Sequence, residues 1–390
     1  MKYLELFTVL SLAGFSFIAT EAKAKDFTED LISAVLSDNR EGVKTLLKSG
    51  VNVNSRSKEP TSVDWTPLHW AASSGMLPMA KTLVEAGADL DAQDKYGDAP
   101  IHKAAFNGEA ALVEYLHSAG ANLAAENKAG ETALFPAASR GHLAVVKYLA
   151  TKNDTLDKMN RNLATPLHKA AYNGHTQVME YLLKSGIEVD PHDKWSYTPL
   201  FEAIARKQLD AAKLLVAHGA SLKPVGESRI TPLHHAAEYS NGPMVSFLIS
   251  KGADPNSRDV NKDTPLHEAA RKGKEEVAKV LIENGADVNS QGLLRRTPLF
   301  VAVQESQVTV VKQLIGKGAN VNLGDALGDT PLHEAAKNGK IDLVKLLIKG
   351  GADISKLDRR GKTALDVAET KGNEEVVRYL ETINAKENTL

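Results

Sequence analysis

Twelve histidines stand in this chain of 390 residues, and six of them recur at one place in a repeating pattern: His69, His102, His168, His234, His267 and His333. Imidazole suits both metal ligation and proton transfer near neutral pH, so these residues are weighed first. Phe135, Phe201 and Phe300 occupy the same place in other units. A place that accepts phenylalanine is structural. Its histidines are expected to bond the neighbouring threonine or a nearby backbone group. His168 with His175, and the pair His234-His235, come nearest to a zinc site. Neither has helix-borne metal spacing or a third ligand close by, so no metal is expected. Carboxylates recur at helix ends and in turns, where they cap, and they form no acid–base pair. The chain has no cysteine, which excludes a thiol nucleophile, a disulfide scaffold and a lipoprotein anchor. No phosphate-cradling glycine loop and no Gly-x-Ser-x-Gly elbow are present. The expectation is a chain that is not an enzyme and carries no cofactor.

The elements behind these residues repeat. An anchor recurs at Thr66, Ala99, Thr132, Thr165, Thr198, Thr231, Thr264, Thr297, Thr330 and Thr363, always 33 residues apart. Aligning Gly50 with Gly87 adds an anchor at Glu29, 37 residues before Thr66, with the extra four in the Ser55–Asp64 connection. Eleven units result, starting near 29, 66, 99, 132, 165, 198, 231, 264, 297, 330 and 363. In each, Thr caps a helix and Pro fills the first turn, where no N–H is required. Eight anchors carry that proline, from Pro67 to Pro331. Paired alanines such as Ala71-Ala72 and Ala269-Ala270 allow close helix approach. A glycine turn follows, as at Gly75 or Gly273, and then a second helix with apolar spacing such as Val145-Val146…Tyr148-Leu149. That helix ends at a left-handed glycine such as Gly87 or Gly285, with Asn153 and Asn384 taking the place in two units. An Asp/Asn-rich hairpin, for example Asp94-Lys95-Tyr96-Gly97-Asp98, leads to the next anchor.

Repeat 4 is irregular. Pro136 lies three residues beyond the usual proline, its hairpin Asn160-Arg161-Asn162-Leu163 lacks glycine, and Lys152-Asn153-Asp154-Thr155 replaces the usual Gly-Ala-Asp turn. It is expected to be the softest interior unit. Both ends carry polar substitutions. Glu29-Asp30 replaces Thr-Pro in repeat 1, and Lys371, Glu374, Glu375, Arg378 and Glu381 line the last repeat. These read as caps of a complete array, residues 25–390, with no second domain.

The first residues read as an address. Lys2, the 14-residue apolar run Leu6–Ala19 and the small-x-small pattern Ala22-Lys23-Ala24 describe a signal peptide of residues 1–24. The run is shorter than the roughly 20 residues of a membrane span. Net charge is −2, with 43% apolar and 25% charged residues. That balance argues against nucleic acid and against a membrane after cleavage, since both want a basic field.

The units resemble ankyrin repeats. Thr66-Pro67-Leu68-His69, Thr165-Pro166-Leu167-His168, Thr264-Pro265-Leu266-His267, Thr330-Pro331-Leu332-His333 and Gly285-Ala286-Asp287-Val288-Asn289 carry the resemblance, which covers about residues 29–384. It implies an all-α repeat solenoid, a stack of helix–turn–helix units with projecting β-hairpin loops and a concave protein-binding face. The family's variable contact places then fall on hairpin tips and first-helix ends. Here they include Tyr96, Phe106, Arg140, Arg161, Tyr172, Trp195, Tyr197, Arg206, Ile230 and Tyr239, followed by Leu293, Leu294 and Leu327. Aromatics are 5% of the chain, yet six fall on these places between residues 96 and 239. Aromatic and arginine side chains dominate interface energetics. Trp70 lies deeper in its helix and reads as core. Basic clusters at Arg295-Arg296 and Lys356…Lys362 read as solvated hairpin charge.

The chain is similar to exported bacterial ankyrin proteins. The resemblance implies a monomeric, non-catalytic scaffold of the periplasm. It would bind an exported enzyme such as a cell-wall hydrolase and inhibit or protect it by occlusion. The alternative is a secreted effector that binds a protein of a host or prey cell.

Overall fold

The computed structural model describes residues 27–387 except 61, 153–155 and 224. The expected signal peptide of residues 1–24 and the expected turn at Asn153 lie outside the described residues. Twenty-two α-helices, in consecutive pairs, run from Thr28–Leu36 to Glu374–Glu387. No described helix is long and apolar enough to cross a membrane. Contacts divide the chain into two compact units, one within Met1–Ala137 and Ala144–Asp154, the other within Ala138–Leu143 and Thr155–Leu390.

The same local logic builds both units. First helices such as Pro67–Ser73 and Pro199–Ala205 start on proline after an extended threonine. Glycine in the left-handed region stops several of them, as at Gly108 and Gly273. Lys207 (φ +60°) and Ser306 (φ +59°) hold that conformation where other repeats use glycine. The paired alanines are fully buried, so Pro166–Asn173 packs on Pro199–Ala205, and Pro232–Tyr239 on Pro265–Lys272. Nine-residue second helices pack in the same order, Thr176–Lys184 on Leu209–Ala217. The core is this alanine layer together with leucines such as Leu68, Leu83, Leu266 and Leu281.

The Gly-Ala-Asp-Val-Asn segment explains itself by hydrogen bonds. Asp287 Oδ1 accepts from its own Asn289 N–H at 2.9 Å, and Asn289 Oδ1 accepts from Asn320 N–H of the next repeat at 2.8 Å. Asp91, Asp190, Asn256 and Asn322 make the same bond, so in these units one repeat satisfies a backbone donor of the next.

The hairpins are not strands. Asp94 N–H donates to Asp98 O, Gly97 N–H donates to Asp94 O, and Asp94 Oδ1 accepts from the N–H groups of Tyr96 and Asp98. These bonds close the loop within five residues and leave no length for a ladder. The only bridge among the described residues joins Val225 and Ile230. One backbone bond links successive tips, as Lys128 N–H to Tyr96 O and Lys194 N–H to Asn162 O. The last helix also departs from expectation, since Glu374–Glu387 runs straight through Asn384.

The hairpin of repeat 4 is closed as in other repeats. Leu163 takes the left-handed turn place at φ +59°, and Asn160 closes the hairpin as Asp94 does. Pro136 stands where Lys169 and Glu202 donate to a threonine carbonyl at 3.4 Å, so the bond it forgoes is a long one. The boundary between the compact units nevertheless falls inside this repeat. We expect amides of residues 132–164 to exchange with solvent faster than those of 264–296. Equal protection in the two stretches would sink this expectation.

Candidate functional site

The six anchor histidines are occupied on both ring nitrogens. Each Nδ1 accepts the N–H of the residue three before it, at 3.0–3.3 Å. Each Nε2 lies 2.9–3.2 Å from the carbonyl of the residue 29 later: Asp98, Glu131, Tyr197, Asp263, Arg296 or Lys362. An N–H pointing at Nδ1 and a carbonyl facing Nε2 fix the neutral tautomer protonated at Nε2. The ring is thus a cap for its own helix and a bolt to the next hairpin, with no lone pair left for a metal. Burial holds His69 down to about 4 and pushes His102, His168, His234 and His267 in the same direction. Phe135, Phe201 and Phe300 fill the same place as fully packed rings.

The surface aromatics are arranged differently. In the hairpin before Thr198, Asp193 Oδ1 accepts from the N–H groups of Trp195 (2.9 Å) and Tyr197 (2.8 Å), and Ser196 takes φ +65°. Alternation at this tight tip sends Trp195 outward, 59% exposed, and Tyr197 inward. Tyr197 lies parallel to Phe201 at 5.1 Å and 5.2 Å from His235. His235 in turn lies 4.6 Å from Tyr239, one helical turn on, and Tyr239 is 45% exposed. Together these side chains line a cup of about 310 Å³ with Asp193, Glu202 and Ala205. Lys194 Nζ stands 4.2 Å over the Trp195 ring. Tyr172 and Arg206, at the ends of successive first helices, stack at 4.5 Å.

The second unit thus brings Trp195, Tyr197 and Tyr239 into one cup, and Tyr172 and Arg206 into one pair. Tyr197 contributes a wall of the cup and not a projecting contact. Arg140 and Arg161 are exposed, while Ile230 is half-buried with its backbone in the Val225 bridge. Tyr96 and Phe106, both exposed, belong to the first unit. Sequence reasoning took Phe201 as structural and His235 as half of a rejected zinc pair, and passed over Glu202. Their one signal is the shared place three or four residues after the anchor, directly beneath a hairpin aromatic. It also passed over Trp65, whose Nε1 donates to Asp94 Oδ2 at 3.0 Å. Trp70 is half-buried, edge-on to Trp65 at 4.7 Å. Two of the basic-cluster arginines face acids. Arg360 reaches Asp358 and Asp329, and Arg296 reaches Asp325.

A family model described as ankyrin repeats, three copies, matches overlapping stretches that together run from residue 31 to 389. The chain belongs to the ankyrin repeat family. The ankyrin repeat domain of human ASB11 is similar at a TM-score of 0.53 and 30% identity, covering 57% of this chain and 99% of that one. Human protein phosphatase 1 regulatory subunit 27 is 44% identical over 68 residues, 17% of this chain and 42% of that protein. The Arabidopsis thaliana potassium channel GORK is 42% identical over 69 residues, 18% of this chain and 8% of the channel. The chain therefore spans less than half the length of these curated relatives. Ankyrin repeats are protein-interaction scaffolds and typically non-catalytic, and the occupied histidines of this chain fit that use.

Proposed function

We propose that the protein is an exported, monomeric binder of the periplasm that covers an exported partner enzyme, such as a cell-wall hydrolase, and inhibits or protects it. One observation carries the binding reading. Trp195 and Tyr239 stand exposed around an aromatic cup, although exposed aromatic area in water is unfavourable. Export rests on the pattern of residues 1–24. The relative that is a regulatory subunit of a phosphatase supports a role exerted on an enzyme without catalysis of its own.

The test is a capture experiment from periplasmic extract, with residues 25–390 as bait beside a Tyr172→Ala/Trp195→Ala variant. An exported enzyme captured by the wild type and lost by the variant is the expected result. Adding the bait to that enzyme's assay then separates inhibition from protection. Capture by both baits alike would remove the aromatic-face assignment. Capture only from host or prey extract would replace the periplasmic reading with that of a secreted effector.

A further inference from the structure

We infer that the aromatic cup receives the cationic side chain, arginine or lysine, of a protein partner. The inference rests on the reading of this chain as a protein binder and adds the chemistry of the residue it holds.

Three features of the cup point the same way. Its walls are π-faces, from Trp195, Tyr197, Phe201, His235 and Tyr239, and such faces attract cations. Its charged lining residues are carboxylates, Asp193 and Glu202, and no lysine or arginine lines it. Burial holds His235 down to about 4, so that ring adds no positive charge at neutral pH. The volume, about 310 Å³, lies at the small end of ligand pockets (about 300–1,000 Å³) and suits one side chain better than an element of structure.

The other repeats show what is missing. Three units carry glutamate four residues after the anchor: Glu202, Glu268 and Glu334. Glu268 is paired with Arg271, and Glu334 with Lys337 at 3.0 Å, each cation three residues further on. The corresponding residue after Glu202 is Ala205, which lines the cup. Among the described residues the Glu202 carboxylate makes no ion pair and no hydrogen bond, although its backbone is bonded within the helix. The cations that act on the carboxylate are Lys169 and Arg206, and the Arg206 guanidinium is stacked on Tyr172. Burial, and after it the neighbouring Asp193, push the Glu202 carboxyl above its ordinary value. The first unit places a lysine where the second unit has Glu202. There Lys103, also four residues after its anchor, stands 5.0 Å from the Trp65 ring and 2.8 Å from Asp94, the counterpart of Asp193. A lysine between an aromatic ring and an aspartate is thus an arrangement this fold already builds. At Glu202 the cation has to come from outside.

The experiment is fluorine NMR of the full chain labelled with fluorotryptophan, with the Trp195 resonance assigned through Trp195→Phe. The probes are neutral Gly/Ser/Asn peptides with one central arginine, lysine, glutamate or norleucine, and tetramethylammonium. The arginine and lysine peptides are expected to shift Trp195 saturably, the others not. Glu202→Gln should weaken the arginine peptide by about tenfold, the loss of one charge-assisted contact. Ala205→Lys, which copies Lys337, should pair with Glu202, fill the cup and abolish the shift while the chain stays folded. A norleucine peptide that binds as well as arginine, or Glu202→Gln with unchanged affinity, would overturn the inference. So would silence with every probe, or saturation by tetramethylammonium without the peptides. A partner captured equally by wild type and Glu202→Gln but lost with Trp195→Ala would leave the binding surface standing and remove only the cation.

Discussion

Stability is expected to fall steeply as the pH drops from about 6.5 to 4. Burial depresses the pKa of His69 and His235 to about 4 in the folded chain, against about 6.5 when unfolded. Above pH 6.5 both states hold a neutral ring and nothing is gained or lost. Below it the unfolded chain binds protons that the folded chain refuses, so unfolding is favoured until the folded pKa is reached. Each of these two rings then costs on the order of 3 kcal/mol at pH 4. His102, His168, His234 and His267 act in the same direction. Asp190, Glu202, Glu268 and Asp329, whose carboxyls are raised, act oppositely, because the folded chain takes up their protons first. Six depressed histidines stand against these four carboxylates, so the net slope is expected to follow histidine. The depressed carboxylates Asp94, Asp358 and Asp366 lose their contribution only below about pH 4 and belong to a later phase. Urea midpoints should stay level from pH 7.5 to about 6.5 and then fall continuously to pH 4.5, and His69→Phe should flatten the slope. A midpoint indifferent to pH over that range would remove the argument.

Phase and local chemistry were open to a reader of the chain, because each repeat obeys rules that act within ten residues. Thr-Pro starts, left-handed glycines and paired alanines need no knowledge of the neighbour. The second bond of each histidine was harder. Its acceptor lies 29 residues on, so it exists only once the repeats are in register. The projecting hairpin loops carry no strand among the described residues, since an aspartate that gathers two N–H groups in five residues closes the loop before a ladder can start. Lys207 and Leu163 show the converse. Neither residue type prefers positive φ, and the stack holds both there. The cup escaped detection because none of its walls is unusual alone. A glutamate at one place is ordinary, and only the alanine three residues later, read against Arg271 and Lys337, makes Glu202 exceptional. The inward turn of Tyr197 likewise depends on Ser196 adopting φ +65° at the tip.

That turn separates two neighbouring residues by function. Tyr197→Ala should cost about 2–4 kcal/mol of stability, because it removes a ring stacked on Phe201 and against His235 and opens a cavity under the hairpin. Trp195→Ala should change stability by less than about 1 kcal/mol, since its ring is largely in solvent and its contact with Lys194 is an exposed cation–π pair. For partner affinity the order should reverse. Trp195→Ala should weaken binding by about 30-fold or more, the loss expected of an interface anchor. Tyr197→Phe, which keeps the stack, should leave affinity close to the wild type. Thermal melts and one titration series against the captured partner decide the matter. If Trp195→Ala melts as early as Tyr197→Ala, the indole is part of the hairpin's own packing. If it melts normally and binds normally, the partner engages some other part of the repeats. Only a normal melt with lost binding assigns Trp195 to the partner, and an aromatic ring kept in water at no benefit to its own fold is what makes that outcome the expected one.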